Sequence, residues 1–200
     1  MFNLLESYDL LYFFFTWTLY NFTLYILIIN NENDLYFEKS MIVTIKYFLL
    51  SSISNLLFLY GLSVVYQEIG NFSYDSIILL LNQYPDEIDL EEFLFILNII
   101  FIFKLGIAPL HFWAPDVYSN IPLKTMIYLS IIPKIFYIFL IINLSPILYN
   151  NIDVLYFSAI LSIIIGSIGL TQQYNIKRFL TYSSIANLGY FILSYNNISI

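Results

Sequence analysis

The run FLFILNIIFIFKLGIAPLHFWAPDVY, residues 93–118, decides how the chain must fold. It opens as an apolar helix and reaches Lys104 after twelve residues. At 1.5 Å per residue that lysine lies about 18 Å from the helix start, too deep in a hydrocarbon layer about 30 Å thick for easy snorkelling. An ionisable residue at such depth is functional by default. Gly106 and Pro109 follow at once. Pro109 lacks the amide that would bond the carbonyl of Leu105, and Gly106 loosens the same turn, so the helix is expected to break at Gly106/Pro109. A second piece, Pro109 to Tyr118, completes the crossing. Unwound backbone at this depth is tolerated only where it is buried in protein or lines a wet cavity. A lysine beside such a break is the arrangement of an ion path.

The remaining sequence supplies the membrane setting. Of 200 residues, 60% are hydrophobic and 10% charged, against about 25% charged in a soluble domain, so the chain cannot cover itself with polar surface in water. Apolar runs separated by turn-rich clusters predict an all-α integral membrane fold of one domain, residues 1–200. Six spans are expected, at about Leu10 to Ile29, Met41 to Tyr66, Phe93 to Val117, Pro122 to Leu144, Val154 to Leu170 and Phe179 to Tyr195. Asn71 to Gln83 reads as a short amphipathic surface helix.

Six spans put Lys39, Lys124, Lys177 and Arg178 on one side. Glu6, Asp9, Glu68, Asp75, Asp86, Glu87, Asp89, Glu91, Glu92 and Asp153 fall on the other, with no basic residue among them. Lys46 lies about 9 Å inside the second span and can snorkel to the basic side. Basic residues favour the side on which the chain is inserted, so that side is expected to be the basic one, with both termini opposite. The acidic loop YPDEIDLEE, residues 84–92, is either a cation site or a solvated helix N-terminus whose carboxylates complement the dipole.

The N-terminus, Met1 to Asp9, contains Glu6 and Asp9 and no basic residue, so it matches neither a signal peptide nor a transit peptide. The excess of Phe, Tyr, Ile, Leu and Asn, with Arg178 the one arginine, fits an AT-rich organellar genome. With no cysteine and only His111, the chain cannot by itself ligate an iron–sulfur cluster through thiolates or a bis-histidine haem. No cofactor and no metal are expected. Nucleotide-binding glycine motifs are missing, and a net charge of −7 leaves no footprint for nucleic acid.

The fourth span repeats the theme of the third. In IIPKI, residues 131–135, Lys134 sits near the centre of an apolar helix, directly after a proline that frees the carbonyl of Leu129. Ser130 and Tyr137 lie on its face and offer hydroxyl partners. His111 beside Trp113 is either a proton relay or a hydrogen-bonded packing residue. Lys104 and Lys134 are thus the candidate site, with His111 a possible relay.

FKLGIAPLHFWAPDVY, residues 103–118, followed by Ile121 and Pro122, resembles the signature of the antiporter-like membrane subunits of respiratory complex I, most of all their subunit 2 branch. FFTW (14–17), IKYFL (45–49) and KRFLTYSSI (177–185) with Gly189 match in order, so the resemblance covers roughly Tyr12 to Leu193. It implies that Lys104 is the central protonatable lysine on a broken helix and Lys134 the next lysine of a proton path. It also implies electron transfer from NADH to ubiquinone elsewhere in the complex, and other membrane-arm subunits and lipids as partners.

Two departures accompany it. Where the family places a glutamate to pair with the central lysine, the alignment puts Asn21. Lys104 is therefore expected to pair with a carboxylate of another chain or with the unwound carbonyls around Gly106. Six spans also make only a partial antiporter-like fold, so other polypeptides are expected in the places of the rest. A proton-translocating subunit, a structural subunit that no longer pumps and a cation/proton antiporter all remain open on these residues.

Overall fold

The computed structural model describes residues 9–29, 34–83, 90–143 and 152–198. These form eight α-helices: α1 Leu10–Ile29, α2 Asp34–Ile69, α3 Tyr74–Gln83, α4 Glu91–Leu105, α5 Trp113–Ser119, α6 Leu123–Asn143, α7 Ile152–Thr171 and α8 Ile176–Ile198. Among the described residues the one extended pairing is an isolated bridge between Asp9 and Ser73. Three helices are long and apolar enough to cross a membrane by length and composition alone: α1, α2 over Ser40–Ile69, and α7 over Val154–Thr171.

Helix α4 is the centre of the bundle. Ten of its fifteen residues are buried, from Phe93 to Leu105, because α2, α6 and α7 all pack against it. Helix α1 closes one flank against α2 and α6, and α8 closes the other against α7 and α5. The outer helices keep apolar residues on both faces. On α1, Phe13, Trp17, Leu24 and Ile28 point inward, while Phe15 (57% exposed), Leu19 (66% exposed), Phe22 and Ile26 point away from the protein. Helices that are apolar all round suit a lipid surrounding.

Two helices begin three or more residues earlier than the sequence pattern predicts. Helix α2 starts at Asp34 rather than near Met41, since no glycine or proline interrupts residues 34–60 and the acidic residues at its start favour a helix N-terminus. Helix α8 starts at Ile176 rather than Phe179. There the Asn175 side-chain oxygen accepts the amide of Lys177 at 3.1 Å, an N-cap that settles the boundary. The surface helix expected within 71–83 is α3, with Ile77 buried and Leu79 exposed. Most of the acidic loop, residues 84–89, and the side chains of Lys39 and Asp153 lie outside the described residues.

Lys124, Lys177 and Arg178 gather at one end of the bundle, where Asp116 accompanies them. Lys177 donates to the carbonyl of Ile121 at 2.6 Å, and Arg178 lies 3.9 Å from the Asp116 carboxylate, so the start of α8 sits beside the α5–α6 turn and Lys124. At the far end, Leu10 donates to the carbonyl of Phe72 at 3.0 Å, and Tyr60 donates to Glu92 at 2.6 Å. Asp9, Asp75, Glu91 and Glu92 share that end. Lys46 is exposed on α2.

Helices α7 and α8 make the most extensive contact in the bundle. Glycine permits it: a Cβ at Gly166 would stand 2.9 Å from that of Ala186, and one at Gly189 would collide with the Ser162 hydroxyl and lie 2.8 Å from the Ala159 carbonyl. Overpacking of this kind costs about 1–3 kcal/mol. Gly189→Val is expected to lower the thermal stability and the amount of assembled protein, measured by native gel after a heat series. Wild-type stability of that variant would contradict the close approach.

Candidate functional site around Lys104 and Lys134

The local structure begins where α4 stops. Gly106 adopts a left-handed conformation (φ 68°, ψ 37°), and its amide donates to Phe103 at 3.1 Å while that of Ile107 donates to Ile102 at 2.9 Å. This pair of bonds is a Schellman turn, which satisfies carbonyls that the end of a helix would otherwise leave open. Helix α4 thus ends at Gly106, three residues ahead of Pro109, which follows through a cis peptide bond after Ala108. Leu105, Ile107 and Ala108 are buried, and Phe112 is exposed.

Trp113, the first residue of α5, closes the interruption. Its indole nitrogen donates to the carbonyl of Phe103 at 2.9 Å, so that oxygen accepts from both Gly106 and Trp113. The ring packs against Phe103 (5.9 Å between centroids), Tyr47 (5.6 Å) and Tyr118 (6.0 Å). A second opened carbonyl, that of Leu129 ahead of Pro133, lies 3.4 Å from the hydroxyl of Tyr118, its donor. Helix α6 continues through Pro133.

Both lysines lie inside this aromatic frame, Lys104 at 8% and Lys134 at 9% exposure. They line one small cavity of ≈ 10 Å³ together with Trp17, Tyr47, Ser51, Tyr118 and Tyr137, space on the order of what one water molecule needs. Trp17 and Tyr137 meet edge to face at 4.4 Å across it. Lys104 Nζ donates to the side-chain oxygen of Asn55 on α2 at 3.1 Å and stands 5.7 Å from the centre of the Trp17 ring. That ring distance falls within cation–π range. Lys134 Nζ donates to the Ser184 hydroxyl on α8 at 3.1 Å, and that hydroxyl in turn donates to the carbonyl of Thr181 at 2.7 Å. Each amine therefore rests on a neutral oxygen from another helix.

The sequence reading located the two lysines but not their acceptors. For Lys134 it named Ser130 and Tyr137. Ser130 instead donates to its own helix at Ile127 (3.0 Å), as a helical serine readily does, and Tyr137 lines the cavity wall. Within this chain Lys104 donates to Asn55 rather than to the carbonyls around Gly106. The polar run SSISN, residues 51–55 within an apolar helix, was the signal available. Asn21 is 1% exposed on α1 and is not among the cavity residues, and neither of its amide atoms is hydrogen-bonded. His111 lies in the α4–α5 connection, half-buried, its ring 6.4 Å from Tyr182 and outside the lysine cavity. Among the described residues no group of His, Cys, Asp and Glu could hold a metal ion.

Gly106→Ala tests the turn. Its Cβ would meet that of Ala114 at 3.4 Å, and a left-handed alanine costs about 1–2 kcal/mol. The variant is expected to be less stable and more protease-sensitive near residue 107 than Gly61→Ala, where the nearest contact is 3.2 Å to a movable Phe93 ring edge and the backbone is helical. Equal sensitivity of the two variants would refute the role of Gly106.

Comparison with known proteins places this geometry in a family. The family model described as NADH:quinone oxidoreductase/Mrp antiporter, TM matches residues 7–199. The chain is 34% identical over 199 residues to NADH-ubiquinone oxidoreductase chain 2 of Rhizopus oryzae, covering 97% of this chain and 38% of the relative. It is 35% identical over 167 residues to NADH-quinone oxidoreductase subunit N of Rickettsia prowazekii (strain Madrid E), covering 78% of this chain and 35% of the relative. In fold it is similar to a chain in the solved structure titled respiratory complex I from Thermus thermophilus with bound aureothin, with a TM-score of 0.77 and 24% identity, over 96% of this chain and 41% of that one. The chain thus spans about two-fifths of the length of these relatives. An all-helical bundle with an interrupted central helix and a match along nearly its whole length belongs to the NADH:quinone oxidoreductase/Mrp antiporter transmembrane family.

Proposed function

We propose that the chain is a proton-translocating membrane-arm subunit of respiratory complex I, residing as a six-span protein in the mitochondrial inner membrane. One observation carries the reading: Lys104 and Lys134, on α4 and α6, line the same cavity beside the interrupted helix. An ammonium on one lysine can release a proton through a bridging hydroxyl or water, and the neutral amine of the other can take it up. The transfer leaves the charge of the cage unchanged and displaces it by one helix. Driving a proton against the membrane potential costs about 2.3 kcal/mol per 100 mV. That energy would come from NADH:ubiquinone electron transfer in partner chains, since this chain has no cysteine and one histidine. His111, outside the cavity, would act at most as a relay between the connection and the end of the bundle.

A second reading, a structural subunit that no longer pumps, is favoured by one feature: Lys104 has a neutral acceptor where the family pattern implies a carboxylate. Lys104→Met separates the two, because methionine keeps the apolar stem and removes the titrating group. In an assembled complex the number of protons pumped per electron pair is expected to fall while quinone reduction persists. An unchanged ratio would establish the structural reading. The proposed orientation places Lys124, Lys177 and Arg178 in the matrix and the loop 67–92, with its acidic run, in the intermembrane space. Protease added to mitoplasts is expected to cleave in that loop, and cleavage only from the matrix side would reverse the topology.

A further inference from the structure

Asn55, the acceptor of Lys104, does not line the cavity that Lys104 shares with Lys134. A second cavity of ≈ 10 Å³ is lined by Trp17, Ser54, Asn55, Phe58, Lys104 and Tyr137, among others. It shares Trp17, Lys104 and Tyr137 with the cavity that contains Lys134. Along α2 the two are offset by one helical turn: Tyr47 and Ser51 face the first, Ser54, Asn55 and Phe58 the second. Lys104 stands at the junction with its amine on Asn55, which lines only the second.

The chemistry of the acceptor matters. A carboxylate in this place would form a charge-assisted bond and hold the ammonium form far more strongly than the amine. An amide oxygen accepts an N–H from either form and adds no net charge. It can therefore fix where the amine sits without fixing how many protons it has. A flexible four-carbon stem lets the amine leave for the neighbouring cavity once the bond is broken.

We infer that Asn55 is a positioning residue that parks the Lys104 amine in its own cavity, and that moving the amine into the cavity shared with Lys134 connects the two lysines. This rests on the proton-path reading of Lys104. The test uses the assembled complex with Asn55→Leu, Asn55→Gln and Asn55→Asp, the first also combined with Lys104→Met, and reads protons pumped per electron pair beside quinone reductase turnover. Asn55→Leu is expected to lower the ratio by about the same factor as Lys104→Met and to add nothing to it in the double variant, because the two act through one amine. Asn55→Gln should retain most of the ratio. Asn55→Asp should lose it despite keeping an acceptor, because the carboxylate retains the charged amine.

An unchanged ratio in Asn55→Leu, or a further fall when it is added to Lys104→Met, overturns the inference. Should Asn55→Leu fail to assemble, the comparison of Asn55→Gln with Asn55→Asp decides, and equal ratios overturn it. An unchanged ratio in Lys104→Met itself defeats the proton-path reading and this inference together. A lowered ratio there beside an unchanged one in Asn55→Leu defeats this inference alone.

Discussion

The rest of the site depends on satisfying the backbone where α4 gives way to α5. Four carbonyls at the end of a helix have no partner within it, and in an apolar surrounding each one left open costs several kcal/mol. The Gly106 turn and the indole of Trp113 satisfy two of them, those of Ile102 and Phe103, from within the protein. Because Trp113 must reach the carbonyl of Phe103, α5 is held against the end of α4. Tyr118 is thereby brought to α6, where it lies near the Leu129 carbonyl opened by Pro133. Two carbonyls on neighbouring helices, those of Phe103 and Leu129, are thus met by two aromatic donors from one short helix. Lys104, two residues before Gly106, and Lys134, directly after Pro133, line the space between them.

That space is enclosed mainly by rings. Trp17, Tyr47, Trp113, Tyr118 and Tyr137 give large contact areas with fixed shapes, and pairs of this kind contribute about 0.5–1.5 kcal/mol each beyond burial. Such walls set the positions of the two amines without offering them a counter-charge. Moving an unpaired ammonium out of water costs several kcal/mol even after relaxation. A single hydrogen bond to a neutral oxygen returns only part of that, on the order of 1–3 kcal/mol. The neutral acceptors Asn55 and Ser184 therefore fix the positions of the amines without supplying a counter-charge.

Helix α8 ties the site to the basic end of the bundle. Lys177 and Arg178 fasten its first turn to Ile121 and Asp116, at the exit of α5. Two turns later Ser184 accepts from Lys134, and further on Gly189 allows the helix to seat closely on α7. The ion pair at 3.9 Å is exposed, and such pairs contribute little to stability, about 0–1 kcal/mol. The shorter bond from Lys177 to a backbone carbonyl is the firmer part of the fastening.

The helical, membrane-embedded character of the chain, the two deep lysines and an interruption near Gly106 are legible in the sequence because each follows from local chemistry. Apolar runs need lipid or protein, an isolated lysine within such a run needs a purpose, and glycine and proline alter the backbone where they stand. Charge clusters likewise foretell which connections share an end of the bundle. Helix starts at Asp34 and Ile176 were missed by a few residues, since hydrophobicity marks where a helix enters apolar surroundings rather than where its hydrogen bonds begin. Only the tertiary structure decided what the amines touch. Asn55 lies 49 residues from Lys104 and Ser184 lies 50 from Lys134, and no periodicity along a chain specifies which face of one helix meets which face of another. Those pairings come from the packing of α2 against α4 and of α8 beside α6, which depends on side-chain shape throughout the bundle.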